Sequence, residues 1–152
     1  MSVNLNSEKF ALHSWQKERG LTSALKDNNF SAFLHDLRLD SKRLIIGCAK
    51  ETPSEDLKMM ISKLSKSLGI DSSYAIFSED SRIPFRFFLG AMPFLEDLVL
   101  LGPATIKAAQ DSGIDLISKV RLIQGPKLND IFDDINVKRN FWEHLKSSLK
   151  IQ

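Results

Sequence analysis

Asp97-Leu98-Val99-Leu100-Leu101 is the stretch that most narrows what this chain can fold into. Successive side chains of a strand point to opposite faces, so an unbroken apolar run needs cover on both sides. A sheet held between two layers of helices supplies that cover. The surrounding pattern agrees, because strand-like and helix-like segments alternate from Arg43 onward. Arg43-Leu-Ile-Ile-Gly-Cys48 is a compact β-rich run. Thr52-Pro-Ser-Glu-Asp opens a helix, with Pro53 and the acidic residues assigned to its first turn. Leu57, Met60, Ile61, Leu64 and Leu68 follow at helical spacing, and Gly69 ends the helix.

Further strands are expected at 73–78, 97–101 and 119–124, with Phe85–Leu89 read as an additional short one. Gly102-Pro103 turns the central strand into a helix from Ala104 to Asp111, and Asn136 is expected to cap the last helix. Residues 9–38 read as helical or loosely structured. The expected fold is therefore one three-layer α/β domain with a mostly parallel central sheet of about four strands. Leu44, Ile46, Leu64, Val99, Leu101, Leu122 and Trp142 are expected inside it.

Composition sets limits on function. A chain of 152 residues, 43% hydrophobic and 26% charged, is ordinary globular material that can bury a core. Twenty-one basic against 19 acidic residues leave a net charge of +2, too small for a surface built chiefly to grip nucleic-acid phosphates. Direct DNA contact is expected to be weak or absent. Cys48 is the sole cysteine, which excludes a disulfide framework within the chain and suits a reducing cytoplasm. No apolar run approaches the roughly 20 residues that span a bilayer, and the start Met1-Ser-Val-Asn-Leu-Asn-Ser lacks the pattern of a signal peptide. A bacterial cytoplasmic setting without membrane contact is the expectation.

Few residues offer chemistry. His13, His35 and His144 are far apart in sequence, and none has metal-ligand spacing with another His or Cys. Neither a metal nor another cofactor is expected. Cys48 reads most simply as a small hydrophobe at a strand end. Leu101-Gly-Pro-Ala-Thr105 lacks the glycine spacing and the lysine of a phosphate loop. The modest basic groups (Lys58, Lys63 and Lys66; Lys119, Arg121 and Lys127; Lys138, Arg139, Lys146 and Lys150) read as solvated faces. Near the start, Phe10, Leu12 and Trp15 stand among polar residues, too few to make an independent core. They mark either a partner site or a segment docked on the domain.

The last quarter carries a resemblance. Val120-Arg-Leu-Ile-Gln-Gly-Pro126 reads as a strand and turn, Leu128 and Ile131 as a docking segment, and Lys138, Arg139, Trp142 and Leu145 as one helix. This order resembles the C-terminal signature of the uracil-DNA glycosylase fold, with Gln124-Gly125-Pro126 where those enzymes carry a His-Pro turn. Gly47-Cys48-Ala49 stands where they carry a water-activating loop, so both chemical loops read as degenerate.

Within that fold the chain resembles the psi subunits of the bacterial DNA polymerase III clamp loader. Phe10-Ala-Leu-His-Ser-Trp15, followed by Lys17 and Arg19, is similar to their N-terminal peptide, with Ala11 in place of glycine. The segment from Phe85 to Gly113 is fuller than in the shortest of them. The resemblance implies a non-catalytic bridge between the tau/gamma subunits and the chi subunit, and through chi to single-strand-binding protein. Residues 1–40 would be the partner-binding peptide and helical segment, with Phe10, Leu12, Trp15, Lys17 and Arg19 as contacts, and 41–152 the α/β domain. Two alternatives stay open: a uracil or mismatch glycosylase, and a binding protein of the same fold with an unrelated partner.

Overall fold

The computed structural model describes residues 32–38, 40–69, 72–80, 82–114 and 119–149. In chain order the elements are β1 (Ala32–Asp36), β2 (Arg43–Ala49), α1 (Glu55–Ser67), β3 (Ser72–Ser78), α2 (Phe85–Ala91), β4 (Asp97–Leu101), α3 (Pro103–Ser112), β5 (Arg121–Gly125), α4 (Leu128–Asp133) and α5 (Ile135–Leu149). They form a five-stranded sheet of order β1-β3-β2-β4-β5 with helices on both faces. The pairings of β2 with β3, β2 with β4 and β4 with β5 are parallel, while β1 runs antiparallel to β3. The expected sheet of about four mostly parallel strands is thus a mixed sheet of five.

Burial follows the pleat. Ile45, Tyr74, Ile76, Val99, Leu101 and Ile123 face a core closed by Leu57, Met60 and Ile61 of α1, Leu128 and Ile131 of α4, and Phe141, Leu145 and Leu149 of α5. Leu44, Ile46, Ala75, Phe77, Leu98 and Leu100 face the other core, closed by Phe85 and Phe88 of α2 with Met92 beyond it, and by Ala109 of α3. Every residue of β4 is buried, as its composition demands. The connections explain why the layers divide this way. The chain leaves β2 for β3 on one side through α1, then passes back over β2 to β4 and on to β5 through α2 and α3. Right-handed crossovers in opposite directions put their helices on opposite faces.

Several expectations are corrected. Ala32–Asp36 is an edge strand, not helix or loose chain. Its register shifts between Ala32 and Leu34, so the consecutive Phe33 and Leu34 both pack against one core. That bulge removes the strict alternation that reveals a strand. Phe85–Leu89 lies in helix α2, where Phe85 and Phe88 bury at a spacing of three. Pro53 precedes the first helix and does not enter it; Ser54 Oγ caps that helix by accepting the Leu57 N–H at 3.2 Å. Asp134, not Asn136, caps α5, its Oδ1 accepting from the Asn136 N–H at 2.9 Å and from the Val137 N–H at 3.4 Å. Leu44, Ile46, Val99 and Leu101 are buried. Leu64, Leu122 and Trp142 are half-buried. Leu122 is on an edge strand, and the neighbouring Phe141 takes the inward position that Trp142 was expected to hold. No helix among the described residues is long and apolar enough to cross a membrane.

A charged cluster fixes the lower end of the sheet. Asp97 pairs in register with Arg43 of β2 and Arg121 of β5. Its carboxylate, 4% exposed, meets Arg121 Nε at 2.7 Å and Arg43 Nε at 3.6 Å. Arg43 also donates through Nη1 to the Leu68 carbonyl, tying the end of α1 to the sheet. A carboxylate buried to this degree is tolerable only with such partners. Asp97→Asn should therefore lower stability by about 1–3 kcal/mol, discounted because Arg121 is half exposed. Arg121→Met should cost less. Urea unfolding with an unchanged m-value checks both, and an Asp97→Asn variant as stable as the parent would refute the role given to the cluster.

Candidate functional site

In an open α/β sheet, ligands lie outside the carboxyl ends of the strands where the strand order reverses. Here that place lies between β2 and β4, because β3 follows β2 on one side and β4 flanks it on the other. A crevice of about 200 Å³ opens there, lined by Cys48, Lys50, Glu79, Leu101, Gly102, Pro103, Ala104, Lys127, Asn129 and Asp130. It is smaller than the roughly 300–1,000 Å³ usual for small-molecule sites.

Local sequence shapes this crevice tightly. A Cβ on Gly102 would lie 3.3 Å from the Lys127 Cα, and its φ of +95° suits glycine alone. Pro103 then takes the first position of α3, where its missing N–H costs nothing. Gly102 N–H donates to the Gly125 carbonyl at 3.0 Å, joining the ends of β4 and β5. A Cβ on Gly125 would approach Phe141 Cε1 to 2.6 Å and Leu101 Cδ2 to 3.1 Å. Gly125 is thus where the last helix rests against the end of the sheet.

Cys48 brings a thiol to the crevice wall. Burial pushes the Cys48 thiol above its ordinary value, and the charge of Glu79 adds to this; the hydrogen bond donated by Thr105 Oγ1 to Sγ, at 3.2 Å, works the other way. The net rise keeps the thiol protonated at neutral pH, and a protonated thiol is a poor nucleophile. Around the same end of the sheet stand Glu51, Glu55, Asp56, Glu79, Asp80, Asp130, Asp133 and Asp134. Lys50 and Lys127 are the cations on the crevice wall, matched there by Glu79 and Asp130. On the crevice wall itself the charges balance, two cations against two carboxylates.

The structure brings the two expected loops to the same end of the sheet but gives them unequal parts. Of Gly47, Cys48 and Ala49, Cys48 alone lines the crevice; Gly47 and Ala49 are buried in β2. Gln124 is exposed on β5, opposite Leu100, and does not line it. Gly125 pairs with Leu101, and Pro126 is half-buried. His35 and His144 are exposed on β1 and α5. Phe10, Leu12, Trp15, Lys17 and Arg19 lie outside the described residues. Glu79, Lys127, Asn129 and Asp130 were not singled out from sequence as parts of a site. Their signal was positional, since Glu79 directly follows β3 and the other three follow the turn after β5. No group of His, Cys, Asp or Glu poised for a metal ion is present among the described residues.

Comparisons of the chain with protein-family models, curated proteins and solved structures return no match.

Two outcomes are expected at this site. Cys48 should alkylate with iodoacetamide at pH 8 more slowly than free cysteine, and Thr105→Val should slow it further by removing a bond that favours the thiolate. The raised folded value stabilises the fold below the unfolded thiol value, and that contribution is lost as pH climbs above about 8.5 and through the folded value. A reaction as fast as free cysteine would contradict the assignment. Gly125→Ala should destabilise the domain by about 1–3 kcal/mol, because the Phe141 ring is itself buried and has little room to move. Thermal unfolding measures it.

Proposed function

We propose that this chain is a non-catalytic connector with a uracil-DNA glycosylase-like fold, acting as a psi-like subunit of a bacterial DNA polymerase III holoenzyme. The observation that carries the reading is the state of the switch-point crevice. At the place where an α/β sheet ordinarily keeps its chemistry, the thiol is protonated and tied to Thr105. The second loop contributes a glycine pressed against Phe141. A hydrolase of glycosidic bonds needs a group that orients water and a donor for the departing base. In the residues that stand at those two loops, Cys48 and Gly125 serve packing.

On this reading the α/β domain binds the chi subunit, and through it is linked to single-strand-binding protein. The N-terminal segment, with Phe10, Leu12, Trp15, Lys17 and Arg19, engages the tau/gamma subunits. The protein then works in the cytoplasm, within the replisome, without cofactor or metal. A near-neutral net charge of +2 suits a protein whose partners are other proteins.

The test is co-purification of the full chain with chi and with the clamp-loader core from its native host. Trp15→Ala should weaken clamp-loader binding by on the order of tens of fold, as loss of a buried aromatic anchor does. Its melting temperature should stay within a degree or so of the parent, since an anchor for a partner contributes little to the isolated fold. Release of free uracil from uracil-containing oligonucleotides, abolished by substitution at Cys48, would replace this reading with the glycosylase one.

A further inference from the structure

We draw no further inference here: the strongest candidate, the open groove between the start of α2 and the end of α3 lined by Ile83, Phe85, Arg86, Phe87, Ala108 and Asp111, carries nothing, because Arg86 is engaged with the Ser112 carbonyl and nothing in the structure shows what covers the groove.

Discussion

The fold rests on the need to cover both faces of β4 and of its neighbour β2. Leu98, Val99, Leu100 and Leu101 leave no face of β4 that tolerates water, and Leu44, Ile45 and Ile46 do the same for β2. At about 25 cal/mol for each square ångström of apolar surface buried, residues of this size drive the two helix layers onto the sheet more strongly than any polar contact present. One layer could not satisfy them. The chain reaches both faces by reversing its direction of travel across the sheet after β3. That reversal in turn opens the crevice between the ends of β2 and β4. The crevice is therefore a consequence of covering the sheet, and its existence by itself says nothing of chemistry. Only the groups on its wall can speak to that.

Those groups are arranged for closeness. Gly47 admits Ile76 and Leu101, whose nearest atoms would lie 3.2 and 3.3 Å from an added Cβ. Gly102 admits Lys127, and Gly125 admits Phe141. Each glycine at this end lets a neighbouring element approach, and the space that would hold a substrate is correspondingly small. Thr105, fully buried, is turned toward the Cys48 sulfur. At the other end, Asp97 gathers Arg43 and Arg121 across adjacent strands, and Arg43 holds the end of α1. The charged residues with the closest geometry in the sheet thus serve register. Polar groups with open surroundings lie instead on the outer helices.

How much of this could be read in the residues depended on whether one local pattern was enough. β4 announced itself because a run apolar on both faces has one common home in a domain of this size. α1 did so through Leu57, Met60 and Ile61 and its acidic first turn. β1 did not, because its bulge lets the adjacent Phe33 and Leu34 share a core, and with Phe30 and Leu37 they imitate helical spacing. Phe85–Leu89 misled in the opposite sense. A five-residue apolar run fits either element, and what decides it is the pocket over Phe77, whose ring centroid lies 6.1 Å from that of Phe88. The cap of α5 needed a choice between Asp134 and Asn136, which both cap helices readily; the end of α4 settles it by placing Asp134 at the break. For the site, the two loops were legible as strand ends. Glu79, Asn129 and Asp130 join them only through the strand order, which no local pattern carries.

A division of labour follows from where the rigid and the open groups sit. The sheet and its two cores fix the helices in place, and glycines narrow the crevice at the carboxyl end of the strands. The large exposed apolar side chains of the described residues stand elsewhere, three of them on the outer helix layer. Substrate chemistry gathers reactive groups into a depression, where water can be excluded and charge is felt strongly. Recognition of a protein needs the reverse: apolar groups standing proud on a firm support, with charge at the margin to select the partner. The strand order builds a crevice because it must, whereas nothing in the packing requires Phe132 or Ile135 to face water.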